Sequence, residues 1–303
     1  MANASTNMSY TKTIFLFAMV SLGWGLSFLA IAILLEAMAP AQMLAARWSM
    51  MAVLFLVLIL MGKIPLQLKG KNLFFLFLTG LCEPCAYCIL EAYGIKMTSA
   101  SVSAIFVATI PCMTLVLGAL LFHLKAGRTV LAGIILAFLG VVLATVCSPA
   151  FSLGGTRIGM VCMAAAVVAA SMYTLSSSRA SADFDPLSVT AVMCMEGAVF
   201  FDIVCFCQGY GFQTFLIPFT NGKLLFCMLF LVLFCAYASY VCYNRLVSYV
   251  EPALAANVSS SLSTVIGVVA GILVTHDTWG WYTIVGMALA IAGVWISGRR
   301  MQV

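Results

Sequence analysis

Two carboxylates and a proline interrupt the apolar run CEPCAYCILEAYGIKMTSASVS, residues 82–103. Glu83, Tyr87 and Glu91 stand at i, i+4 and i+8, the spacing that places side chains on one face of an α-helix. An ionisable group in hydrocarbon costs at least about 2.5 kcal/mol on insertion scales, so such a residue is a functional candidate by default. Its chemistry would be proton exchange as access to water changes, or service as the counter-charge of a cation. Glu83 follows Lys71 by twelve residues, about 18 Å along a helix rising 1.5 Å per residue, which sets it near mid-membrane. It is the candidate for proton coupling. The plainer alternative is a glutamate hydrogen-bonded to a neighbouring helix, with a structural role alone.

Other polar side chains lie in apolar surroundings. Arg47 and Glu196 carry opposite charges in separate apolar segments, and buried charges are usually paired. Asp202 is read as interfacial. Trp24 between Gly23 and Gly25 is a cavity wall or an interfacial anchor. Tyr237, Tyr240 and Asn244 are spaced to share a face, as are Asn257, Ser260 and Thr264; small polar residues at such spacing also serve helix packing. The candidate cavity residues are therefore Trp24, Arg47, Glu83, Tyr87, Glu91, Glu196, Tyr237, Tyr240 and Asn257. Cys82, Cys85 and Cys88 spread over too much of a helix surface, without a histidine, to suggest a metal site. They read as small hydrophobes.

Only 8% of the 303 residues are charged and 64% are hydrophobic, whereas a soluble domain needs roughly 25% charged residues to face water. The chain is an integral membrane protein with no stretch polar enough to fold as a second, soluble domain. His123 and His276 fall near opposite membrane faces, and no phosphate-binding glycine loop ends in Lys-Ser/Thr. No catalytic set, cofactor, metal or nucleic-acid partner is expected. The partners are the lipid bilayer and a small-molecule substrate.

At about 20 apolar residues per crossing, ten helices are predicted over 12–35, 41–61, 70–93, 98–122, 128–147, 157–178, 187–208, 223–247, 252–274 and 279–298. Pro40, Pro186 and Pro252 each fall in a first turn, where the missing N–H is no loss. The first apolar run is too long for a cleaved leader. With the amino terminus inside, ten basic residues face the cytoplasm, Lys69, Lys71, Lys125, Arg299 and Arg300 among them, against Lys96, Arg157 and Lys223 outside. That bias orients both termini to the cytoplasm in a cell membrane.

The chain also repeats. Residues 133–141 read GIILAFLGV and residues 286–294 read GMALAIAGV, and Pro40 has its counterpart in Pro186. Two five-helix halves follow, 1–148 and 149–303. Because five is odd, the halves are inverted across the membrane, the recurring architecture of secondary transporters. The fold class is all-α, with ten transmembrane helices in two inverted five-helix repeats.

The combined motifs resemble the drug/metabolite transporter superfamily, in its ten-helix EamA-type branch. They comprise Gly23-Trp24-Gly25 with Pro40 and Arg47, then LEAYGIK at 90–96 running into Thr98-Ser99-Ala100-Ser101, then Pro111, then the paired glycine motifs. The positions after the fourth and ninth helices, often acidic in that branch, hold His123-Leu124-Lys125 and His276-Asp277. The resemblance implies alternating access, with the fifth and tenth helices at the periphery or between protomers of a homodimer. It also implies export of a small amphiphilic metabolite such as an amino acid or amine. The excess of intramembrane carboxylates favours a cationic or zwitterionic cargo with a proton as coupling ion. Uptake or exchange of an anionic or nucleotide-linked solute anchored by Arg47 stays open, as does a non-transporting membrane scaffold.

Overall fold

The structure, a computed structural model, describes residues 9–64, 66, 72–97, 106–124, 127–147, 157–270, 273 and 280–298. The 98–103 motif, both termini, His276-Asp277, residues 148–156 and the basic residues Lys69, Lys71, Lys125, Arg299 and Arg300 lie outside them. Among the described residues every regular element is helical. In chain order the α-helices are α1 Tyr10–Leu35, α2 Pro40–Leu60, α3 Phe74–Gly80, α4 Tyr87–Met97, α5 Ile110–Phe122 and α6 Arg128–Val146. The second half supplies α7 Arg157–Asp183, α8 Pro186–Cys207, α9 Gly222–Leu229, α10 Ser239–Leu246, α11 Pro252–Ala270 and α12 Trp281–Gly298.

Among the described residues, seven runs are long and apolar enough to cross a membrane, and three shorter apolar helices bring the passes to ten. Two of the ten are interrupted. α3 and α4 form one pass joined by the π-helical segment Leu81–Ala86, and α9 and α10 form another joined by the π-helical segment Phe230–Ala238. Side chains mark several starts. Gln42 accepts from the Ala39 amide at 3.0 Å at the head of α2. Asp185 accepts from the Leu187 amide at 2.9 Å at the head of α8, satisfying an otherwise orphaned donor. α5 stops at His123, whose left-handed backbone (φ 53°) ends the helix.

The repeat dictates the packing. Gly133 of α6 lies against the backbone of Gly293 in α12, and Gly140 against that of Gly286. The two motifs therefore meet in antiparallel order, so equivalent helices of the two halves run in opposite directions and the repeats are inverted. A Cβ at any of the four glycines would collide with the opposing backbone; small residues allow this close approach in lipid. α2 likewise packs on α8, its counterpart. Other contacts come in matched pairs: α1 with α11 has its counterpart in α5 with α7, and α4 with α7 has its counterpart in α1 with α10. The glycine faces of the fifth and tenth passes are thus spent on each other within one chain.

Candidate functional site

The third pass does not present one continuous face. Glu83 has extended backbone (φ −139°, ψ 116°), so the helix breaks there and restarts at Tyr87. The i, i+4, i+8 expectation fails for Glu83, because Pro84 has no amide to continue the ladder. It holds for Tyr87 and Glu91 within α4, where the Tyr87 hydroxyl donates to Glu91 Oε1.

All three residues nevertheless face one cavity of about 170 Å³, together with Trp24, Arg47 and Tyr240. Six of the nine sequence candidates thus meet on one wall system. Glu83, buried, accepts from the Tyr240 hydroxyl at 2.6 Å and from the Cys88 thiol at 3.5 Å. Both hydrogen-bond partners are neutral, and the cation within electrostatic range is Arg47 on the same cavity lining. Arg47, also buried, donates through Nη2 to Cys235 Sγ at 3.5 Å and lies 5.3 Å from the Trp48 ring centroid. Its Nε has no hydrogen-bond partner, nor has Trp24 Nε1. Two donors on the lining are therefore unfilled.

Aromatic rings form the rest of the wall. Trp24 packs on Tyr243 at 4.9 Å and on Tyr240 at 5.6 Å, and Tyr173 stacks on Tyr243 at 5.7 Å. Ring faces carry negative charge and attract cations, most strongly when both are removed from water. Tyr173 and Tyr243 were not among the sequence candidates, since each occupies an ordinary-looking helical segment. The Tyr240–Tyr243 spacing in α10 was the available signal.

Three candidates lie apart from this lining. Tyr237 falls in the Phe230–Ala238 segment, where the wider π turn takes it out of register with Tyr240, and it packs 5.5 Å from Phe55. Asn257 donates to Ser297 Oγ at 2.9 Å and accepts from Ser261 at 3.5 Å, joining α11 to α12. Glu196 is half-buried behind the break, in the room left by Gly80, with Oε1 unpartnered. Gly197 beside it abuts Pro84 and Trp48, so α8 cradles the interrupted pass from behind. Asp202 takes the Ser49 hydroxyl on both oxygens, at 2.8 and 2.9 Å.

The chain is similar over nearly its whole length to proteins described as transporters. It is 23% identical over 274 residues to the uncharacterized transporter YcxC of Bacillus subtilis, covering 89% of this chain and 87% of that one. It is 24% identical over 279 residues to an uncharacterized transporter of Archaeoglobus fulgidus, covering 91% and 95%. A solved crystal structure with 15% identity superposes with a TM-score of 0.80, covering 97% of this chain and 99% of its own, which shows a shared fold. The EamA-like transporter family model matches twice, over residues 11–146 and 157–299. On that match the chain, with its two five-helix repeats around one cavity, belongs to the EamA-like transporter family.

Proposed function

We propose that this protein is a secondary transporter exporting a small zwitterionic or cationic amphiphile, an amino acid or amine, across the cell membrane in exchange for protons. The observation that carries the reading is the cavity's division of charge. Glu83 and Glu91 lie among aromatic rings that suit an ammonium group, while Arg47 offers an unfilled Nε to a carboxylate. A buried guanidinium N–H left without an acceptor is costly, and a bound carboxylate would supply one to Nε. Glu83 is the coupling residue: its hydrogen-bond donors are neutral, and while Arg47 is engaged by a cargo carboxylate, the Glu83 charge can be balanced by a proton or by the cargo cation, one at a time. Competition of that kind links export to proton entry. The functional halves are 1–148 and 149–303, and both termini face the cytoplasm, in keeping with the distribution of basic residues.

The test is binding and counterflow in proteoliposomes against three cargo classes: amines, zwitterionic amino acids and organic anions. Zwitterion uptake lost in Arg47→Ala while amine binding survives would support the reading. Glu83→Gln should abolish the response to an imposed pH gradient. Transport of organic anions alone, eliminated by Arg47→Ala and indifferent to Glu83→Gln, would overturn the reading in favour of an anion carrier. The unfilled Arg47 donor is the observation that keeps this second reading in view.

A further inference from the structure

The repeat extends to the groups that seal the cavity. The step that carries Gly133 to Gly286 and Gly140 to Gly293 also carries Tyr87 to Tyr240 and Glu91 to Asn244. The structure bears out the match, since each of those tyrosines follows a π-helical interruption of its pass. The step from Pro40 to Pro186 likewise carries Ser27 to Tyr173, Leu44 to Thr190 and Arg47 to Met193.

Asn244 is fully buried and its side chain is fully engaged. Its Oδ1 accepts from Tyr173 at 2.9 Å and from Ser177 at 2.6 Å. Its Nδ2 donates to Thr190 Oγ1 at 2.9 Å, with Met193 Sδ at 3.5 Å. α10 is thereby clasped to α7 and α8 beneath the Tyr173–Tyr243 floor of the cavity. This is the end of the bundle at which α1 begins and α12 finishes. The corresponding site in the first repeat is unclasped. Glu91 accepts from Tyr87 on its own helix, and Arg47 and Ser27, the counterparts of Met193 and Tyr173, line the cavity with it.

We infer that Glu91 and Arg47 are the opposite gate: in the alternate state Glu91 closes onto Arg47 and Ser27, tying α4 to α1 and α2, while the Asn244 clasp opens. Two inverted halves exchange conformations when access alternates, so a contact made in one half in one state is made in the other half in the other state. In this chain the exchange is between an amide hub and an ion pair. Cargo held by Arg47 or Glu91 occupies the gate's own partners and keeps that end open until release. The inference rests on the transport reading only for the existence of a second state.

Hydrogen–deuterium exchange of the full chain in nanodiscs, without cargo, tests it. Asn244→Ala should speed exchange in peptides spanning 177–190 and protect those spanning 87–97. Adding Glu91→Gln should remove that protection, and the charge-reversed pair Arg47→Glu with Glu91→Arg should restore it. Thr190→Val, which removes one acceptor from the clasp, serves as the milder variant and should act in the same direction. Protection of 87–97 that persists in Asn244→Ala/Glu91→Gln, or that never develops in either clasp variant, overturns the gate. Neither result depends on cargo identity, so a failed cargo assay and a failed gate are distinguishable.

Discussion

The Tyr240 hydroxyl donates to Glu83 Oε1 at 2.6 Å, joining residues 157 positions apart. It is a strap between the two repeats, running from the eighth pass to the break in the third. Whatever binds at Glu83 acts on a hydrogen bond that joins the two repeats across the cavity lining.

Tyr240→Phe removes the strap and leaves the Glu83 carboxyl with the Cys88 thiol. A buried acceptor losing its partner costs about 1–3 kcal/mol, seen as a lowered Tm in detergent. In a Glu83→Gln background the same change should cost much less. Strictly additive losses would mean that the two groups are not coupled.

Trp24→Ala strips the ring shared by Tyr240 and Tyr243. A desolvated cation–π contact contributes about 0.5–2 kcal/mol, so affinity for an ammonium cargo should fall by roughly 2- to 30-fold. Trp24→Phe should recover most of the loss. Titration by intrinsic fluorescence reads both; equal affinity in all three proteins would remove the aromatic wall from recognition.

Asn257→Leu should lower thermal stability while leaving cargo affinity at the wild-type level. Its amide joins α11 to α12 rather than reaching the cavity. Leaving Ser297 short of a partner costs about 1–3 kcal/mol. A large change in cargo affinity with unchanged Tm would contradict that placement.

Gly140→Val should disrupt the fifth and tenth passes, because its Cβ would strike the Gly286 carbonyl. Overpacking of this kind costs about 1–3 kcal/mol or more, measured as early aggregation in a size-exclusion thermal series. Gly62→Ala is a comparison outside the seam: its Cβ meets nothing, though its positive φ (69°) carries a modest strain of its own.

Much of this was legible in the chain. Pro40 and Pro186 announced equivalent helices, and the two glycine motifs announced the repeat; that these motifs pack on each other within one chain, rather than at the periphery or between protomers, was not read from them. Glu83 was found for a reason independent of helical phase: a carboxyl in hydrocarbon must face something polar. Its phase was misread because Pro84 breaks the helix one residue later. Tyr237 and Tyr240 looked like neighbours under a 3.6-residue period, and a π segment undid that. Tyr173 and Tyr243 escaped notice because burial against a partner on a distant helix leaves no local periodic trace. Asn257 was noticed for its polarity, but polarity does not tell a ligand site from a helix junction.

The glycine seam has a consequence for the halves taken singly. Gly133 meets the equivalent of Gly140, and Gly140 meets the equivalent of Gly133, which is the reciprocity of an isologous dimer contact. Each half therefore displays a surface that is its own complement once turned over. A five-helix fragment expressed alone should recognise a second copy of itself in the antiparallel sense, and two genes could have supplied what one continuous chain now holds together.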